Sequence, residues 1–196
     1  MLVLASASPR RQELLRNAGI PFVTQPTDIP EIAQDGEAPR AFAKRMALEK
    51  ALAVFHQRPG DFILGADTIV VVDGEILGKP RDGADAARML RLLSGRTHQV
   101  VTGVCLVTPQ LGTENRKPTT GFEDIRSETT LVTMDAVSDD DIRSYILSGE
   151  PMDKAGAYAI QGMASRWVSR IEGDYFNVVG LPVSLVCKML RQHGAV

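Results

Sequence analysis

The sequence predicts a mixed α/β fold, with a largely antiparallel, extended sheet flanked by helices. Three observations lead there. Short apolar runs alternate with amphipathic helical stretches, the pattern of strands joined by helical crossovers. Hairpin signals such as Asp73–Gly74 lie between apolar runs, so antiparallel pairs accompany the crossovers. At 196 residues, 44% hydrophobic and 23% charged, the chain is globular and long enough for a sizeable core. That length suits one large domain or two small lobes around one sheet.

The elements follow in order. Met1–Ala5 reads as a buried strand, and Pro9–Ala18 as a helix capped by Ser8, opened by Pro9 and stopped by Gly19. Ile20–Thr24 reads as a strand and Pro26–Pro39 as a polar loop with acids at Asp28, Glu31, Asp35 and Glu37. Phe42, Met46, Ala47, Leu48, Ala51, Val54 and Phe55 recur at helical spacing, which places a helix over Arg40–His56. Phe62–Leu64 and Thr68–Val72 form an apolar strand region that turns at Asp73–Gly74 into Glu75–Leu77. Ala84–Leu93 is a helix ended near Gly95, Thr97–Thr108 a long strand, and Arg126–Ala136 its antiparallel partner. Between those strands, Pro109–Asp124 has the composition of a long hairpin tip. Ser138 caps a helix running to Leu147, with Asp139 to Asp141 favourably placed in its first turn. Ser165–Ile171 reads as a strand and Pro182–Gln192 as a closing amphipathic helix.

Composition excludes several function classes. A net charge of -2 gives no general electrostatic attraction to nucleic acid, so any positive site must be local. Cys105 and Cys187 form no CxxC pair and too small a set for a disulfide framework, as expected of a reducing compartment. The N-terminal apolar run lacks the form of a signal peptide, and no stretch approaches the roughly 20 apolar residues of a membrane span. A cytoplasmic location is the expectation. His56, His98 and His193 lack ligand spacing, which argues against zinc. No G-x-S-x-G elbow occurs, and neither cysteine has an evident base.

Four polar clusters remain. Ser6-Ala-Ser-Pro-Arg-Arg11 puts a helix N-terminus and two arginines after a strand, an arrangement suited to phosphate. Arginines conflict there with the helix dipole, which implies an anion supplied from outside; the alternative is a capped surface helix with solvated arginines. Gly65-Ala-Asp67-Thr68 places a carboxylate in an apolar run, either as a functional acid or as a turn residue bonding its own backbone. Gly78-Lys79-Pro80 offers an ammonium at a tight turn but fails the Walker pattern, and a solvated lysine is the alternative. In Gly149–Gly162, small residues allow close backbone approach, while Tyr158 and Gln161 offer a ring and an amide; a self-satisfied glycine-rich loop is the alternative. Gly173-Asp-Tyr-Phe-Asn177 reads as a strand-to-helix turn buttressing the pocket. Carboxylates with Lys and Arg suit a hard cation such as Mg²⁺ held jointly with substrate phosphates.

Six segments in order resemble the Maf family of nucleoside triphosphate pyrophosphatases. They are Ser6–Leu15, Gly65–Val70, Leu77–Pro80, Ser94–His98, Val101–Val104 and Gly149–Tyr158, and the likeness runs from Leu4 to about Ser184. The resemblance implies one domain over residues 1–196 with two lobes around a cleft, as in inosine triphosphatase-like folds, and a homodimer. It implies hydrolysis of a nucleoside triphosphate to the monophosphate and pyrophosphate with a divalent cation, Mg²⁺ or Mn²⁺. By motif position, Asp67 matches the proton acceptor, and Ser6, Arg11 and Lys79 match residues contacting the triphosphate. Lys50 matches a further polar residue of the cleft, and Glu31, with Asp67, is associated with the metal. Arg10, Thr68 and Gln161 match positions linked to substrate choice. Asp153–Gly162 is similar to the version found in the subfamily acting on dTTP and UTP. The alternatives are the sister subfamily acting on 7-methyl-GTP and a nucleotide-binding regulator of septum formation. No stable nucleic-acid or membrane partner is expected.

Three departures stand out. Pro30 stands where the family usually has an acid, which weakens the metal assignment of Glu31. Ala159 replaces a common Gly before Ile-Gln-Gly, and the segment Pro109–Asp124 is longer than usual.

Overall fold

The computed structural model describes residues 1–109 and 122–196. Its elements are β1 (Leu2–Leu4), α1 (Pro9–Asn17), β2 (Val23–Thr24), α2 (Pro39–Phe55), β3 (Phe62–Val72), β4 (Glu75–Leu77), α3 (Gly83–Leu93) and β5 (Thr97–Val107). There follow β6 (Glu123–Met134), α4 (Asp139–Leu147), β7 (Val168–Glu172), α5 (Tyr175–Val179) and α6 (Val183–Gln192). Strand order is β2-β1-β3-β5-β6-β7, with β4 paired to β3. β1 runs parallel to β2 and β3, whereas β3–β4 and β6–β7 are antiparallel. β5 and β6 are antiparallel as well, because Thr108 N–H donates to Phe122 O near one end and Met134 N–H to Arg96 O near the other. The mixed sheet expected from the sequence is therefore present. Of the hairpin tip read over 109–124, residues 110–121 lie outside the described residues.

The chain divides into two compact units. The first comprises Met1–Asp67, Thr102–Glu128 and Gly180–Val196; the second comprises Thr68–Val101 and Thr129–Val179.

In the first unit β1 is buried throughout and lies between two parallel neighbours, which explains its unbroken Leu-Val-Leu run. The apolar stripe of α2 packs Ala47, Ala51, Val54 and Phe55 with Val3, Ala5, Ile63, Cys105 and Val107. Two glycines allow this close packing. A Cβ on Gly65 would stand 2.1 Å from Ala47 O, and one on Gly103 2.2 Å from Ala43 O. The helix backbone thus rests almost directly on β3 and β5, which any larger residue would prevent. Burial pushes the Cys105 thiol up to about 12, so it is an inert core residue.

In the second unit, Asp73 (φ 51°) and Gly74 (φ 82°) form the two-residue turn between β3 and β4. Positive φ at both central positions matches the right-handed twist of the strands. Asp82 caps α3 by accepting from Asp85 N–H at 2.8 Å, and Ala86, Met89, Leu90 and Leu93 form its buried stripe. Ser138 caps α4 as expected, accepting from Asp141 N–H at 3.1 Å. Tyr145 of α4 is fully buried and meets Trp167 edge-on at 5.3 Å.

Several boundaries differ from expectation: the strand read over Ile20–Thr24 shrinks to Val23–Thr24, and the one read over Arg126–Ala136 spans Glu123–Met134. Gly65-Ala-Asp67 does not break the strand: β3 is continuous over eleven residues with Asp67 inside it. The strand expected from Ser165 begins only at Val168, because residues 163–166 coil into a 3₁₀ turn. Among the described residues no helix is long and apolar enough to cross a membrane.

Candidate active site

The first unit holds six of the residues singled out in the sequence: Ser6, Arg10, Arg11, Glu31, Lys50 and Asp67. Ser6 leaves β1 buried, and its Oγ accepts from Ser8 N–H at 3.2 Å. Ser8 then caps α1 over a long 3.5 Å contact from Arg11 N–H, with Pro9 in the first helical turn. Arg11 folds inward. Its Nε–H donates to Gly180 O at 2.8 Å, and Nη1–H donates to Ala66 O at 2.9 Å and Ser6 Oγ at 3.2 Å. Burial lowers the guanidinium's pKa, opposed by the charges of Asp67 and Glu31. The partners of these bonds are two carbonyls and a hydroxyl, with the Asp67 and Glu31 charges nearby. Arg10 lies half-buried in the same turn.

Asp67 is 5% exposed, a costly position for a lone carboxylate. Its compensation comes from α2: the buried Lys50 donates from Nζ to Asp67 Oδ1 at 2.6 Å. The same ammonium donates to Glu31 Oε1 at 2.6 Å. The turn reading of Asp67 therefore falls away, since its side chain bonds a partner seventeen residues distant rather than its own backbone.

Glu31 arrives from the loop between β2 and α2, and one residue that the sequence reading missed fastens that loop. Arg45 donates to both carboxylate oxygens of Glu37 at 2.7 Å and to Ile32 O at 3.0 Å. These bonds hold the Glu37 carboxyl down at about 2. Glu37 and Arg45 lie eight residues apart, one in the loop and one in the helix, so helical pairing rules give no sign of the contact.

The second unit holds the remaining residues. Thr68 is half-buried in β3, Lys79 is exposed after β4, and Gln161 is exposed on a turn. Gly156 N–H donates to Gly78 O at 3.0 Å, which ties the Gly78-Lys79-Pro80 turn to the 149–162 segment. Close approach is essential there, because a Cβ on Gly156 would meet Val70 at 2.8 Å. Tyr158 differs from expectation. Its ring is not offered to a ligand but is 6% exposed, with its hydroxyl 2.8 Å from His98 Nε2. Burial lowers the His98 pKa to about 4, so the imidazole is neutral near pH 7 and serves the core. Asn177 is buried and ties its turn to β5 and β6, donating from Nδ2 to Val100 O at 2.9 Å and Thr130 Oγ1 at 3.0 Å. Ala159 occupies its position without strain: among the described residues the non-glycine ones with positive φ are Asp73 and Ala157.

Over residues 1–193 the chain matches the family described as Maf-like protein. The chain belongs to the Maf-like protein family. Three of its relatives carry the name dTTP/UTP pyrophosphatase. One from Koribacter versatilis is 55% identical over 98% of this chain and 94% of its own length. Another from Symbiobacterium thermophilum is 52% identical over the same shares. A third, from Geobacter metallireducens, is 50% identical over 99% of this chain and 96% of its own.

Within this Maf-like chain the donor chemistry fits a hard cation. Among the described residues no three His, Cys, Asp or Glu side chains cluster as a self-sufficient metal cage. Two carboxylate oxygens nevertheless converge, each at 2.6 Å, on one positive charge. Mg²⁺ is commonly held by one or two carboxylates, with waters and substrate phosphates completing the shell. Asp67 and Glu31 supply such a pair, with the Lys50 ammonium marking the point where they meet.

Proposed function

We propose that this chain is a nucleoside triphosphate pyrophosphatase acting on dTTP and UTP, releasing the monophosphate and pyrophosphate. The observation that carries the reaction type is the convergence of Asp67 and Glu31 on Lys50, beside Ser6 and the inward-folded Arg11. The choice of nucleotide is carried by relatives of that name matching nearly the whole chain at half identity or better.

In this reading Asp67 accepts the proton of the attacking water. The water oxygen bonds to the α-phosphorus, the bond to the bridging oxygen breaks, and pyrophosphate departs with the electron pair. Lys50, donating to Oδ1, fixes the carboxylate and leaves Oδ2 to take the proton. Asp67 and Glu31 would hold Mg²⁺ or Mn²⁺, which when bound lowers the pKa of water and offsets phosphate charge. Ser6, just before α1, and Arg11, in its first turn, would contact the phosphates, with Arg11 held by carbonyls that restrict its reach. Lys79 as a triphosphate contact, and Arg10, Thr68 and Gln161 as selectivity positions, are proposed on their match to the family's motifs. A cytoplasmic homodimer is the accompanying proposal, checked by light scattering on the purified chain.

The deciding experiment measures pyrophosphate release from a panel of nucleoside triphosphates, with and without Mg²⁺ or Mn²⁺. Cation-dependent release favouring dTTP and UTP is expected. Selective release from 7-methyl-GTP would assign the sister activity, and binding without any release would favour a regulatory protein.

A further inference from the structure

The turn bearing Gln161 is clamped on both sides. Gly162 N–H donates to Ala159 O at 3.1 Å, closing a four-residue turn with Gln161 at its third position. Before the turn, Ala159 N–H donates to the Tyr145 hydroxyl at 3.1 Å. After it, Met163 N–H donates to Glu150 Oε1 and Oε2 at 3.1 and 3.2 Å. Tyr145 closes the ring by donating its O–H to Glu150 Oε1 at 2.8 Å. Each hydrogen-bonding group is used in its proper sense, the hydroxyl accepting once and donating once.

The clamp has a rigid base and a tight fit. Tyr145 is fully buried on α4 against Trp167, so its hydroxyl is a fixed reference point. A Cβ on Gly162 would stand 2.0 Å from Glu150 Oε1, so only glycine lets the carboxylate reach the next amide. Exposed four-residue turns ordinarily interconvert among conformations, and this one has both flanking amides fastened to one buried hydroxyl and one carboxylate.

We infer that Glu150 and Tyr145 are positioning residues that aim Gln161 and so set nucleotide selectivity. The inference rests on the proposed role of Gln161 as a selectivity residue. An amide discriminates bases only if its donor and acceptor are held in a fixed direction, because a freely turning amide satisfies any edge. Neither Tyr145 nor Glu150 needs to touch the nucleotide for this.

The test compares kcat and KM across the triphosphate panel for wild type, Glu150→Ala, Glu150→Gln, Tyr145→Phe, Gln161→Ala and the double variant Glu150→Ala/Gln161→Ala. Hydrogen exchange of the 159–163 amides is followed alongside. Glu150→Ala is expected to lower the preference for the best nucleotide over the worst by about tenfold, the factor set by roughly one hydrogen bond of misdirection. The loss falls mainly on KM for the preferred nucleotide. Gln retains one acceptor oxygen, so Glu150→Gln falls between wild type and Glu150→Ala. Exchange protection at Ala159 and Met163 drops while the strand amides keep theirs. In the Gln161→Ala background, Glu150→Ala adds no further loss of selectivity. Equal losses for all nucleotides, or additive effects in the double variant, would overturn the inference. If the wild type prefers a different nucleotide, the functional reading fails by itself, and the same ratios for that nucleotide still test the clamp.

Discussion

Replacing Lys50 by Met keeps a side chain of similar length and removes the charge on which Asp67 and Glu31 converge. The two carboxylate oxygens lie 2.6 Å from Nζ, so they are at most twice that distance apart. Their mutual repulsion is present with or without Lys50, so the variant loses the ammonium's attraction to both, and removing one partner of a buried ion pair costs about 3–5 kcal/mol. Glu31 is 37% exposed and screened by water, so the loss falls mainly on the buried Asp67. Stability of the variant without divalent cation should fall by about 3–5 kcal/mol, or about 6–20 °C in Tm for a chain of this size. The effect reverses when a cation is added. In the wild type a divalent ion would share both carboxylates with the ammonium and be repelled by it; in the variant that repulsion is gone. Affinity for Mg²⁺ or Mn²⁺ without nucleotide should therefore rise by about tenfold. Isothermal titration and thermal unfolding from a chelator-treated baseline measure both effects. An affinity equal to or below that of wild type would refute the idea that Lys50 marks the cation's place.

Asp67→Asn should lower kcat by about 10²–10⁴, the usual contribution of a positioned base, while affinity for a non-hydrolysable triphosphate changes little; wild-type turnover would remove Asp67 from the role. Gly65→Ala places a Cβ 2.1 Å from Ala47 O and should cost about 3 kcal/mol, read as a Tm drop of roughly 6–12 °C. A change below 1 °C would contradict the close packing. His98 is held to about 4 in the fold against 6.5 for an ordinary histidine, so its contribution is complete above pH 6.5 and is lost as pH falls through 4. Urea titrations at pH 7.5, 5.5 and 4 should show about 3 kcal/mol more acid loss in wild type than in His98→Gln, which keeps a partner for Tyr158. Parallel pH profiles would show that His98 does not titrate in this range.

What the sequence revealed and what it hid have physical reasons. α1, α2, α3, α4 and α6 were legible to within about two residues, because caps and apolar spacing are local signals. Asp67 was ambiguous because a carboxylate in an apolar run means opposite things with and without a counter-charge. That counter-charge sits on a helix seventeen positions earlier, where Lys50 is one of several lysines and arginines on α2. The solvated-surface alternative for Arg11 rests on its polar sequence neighbours; the carbonyls that bury it belong to Ala66 and Gly180, far along the chain. Tyr158 reads as part of a ligand surface because it lies among small residues, whereas its bond to His98 spans sixty positions. The clamp on Gln161 joins a helix residue to two points of the 149–162 segment and its border, and no periodic pattern encodes such a ring.

Gly65 and Gly103 lie on the neighbouring strands β3 and β5, and they meet the carbonyls of Ala47 and Ala43, one turn apart on α2. The separation of Asp67 from Lys50 is consequently a property of the layer spacing rather than of any loop. A designer grafting this acid–ammonium pair into another scaffold would have to transplant the two glycines with the helix, since they act as its gauge blocks. Drift in the surrounding loops can alter what is bound and leave that spacing untouched.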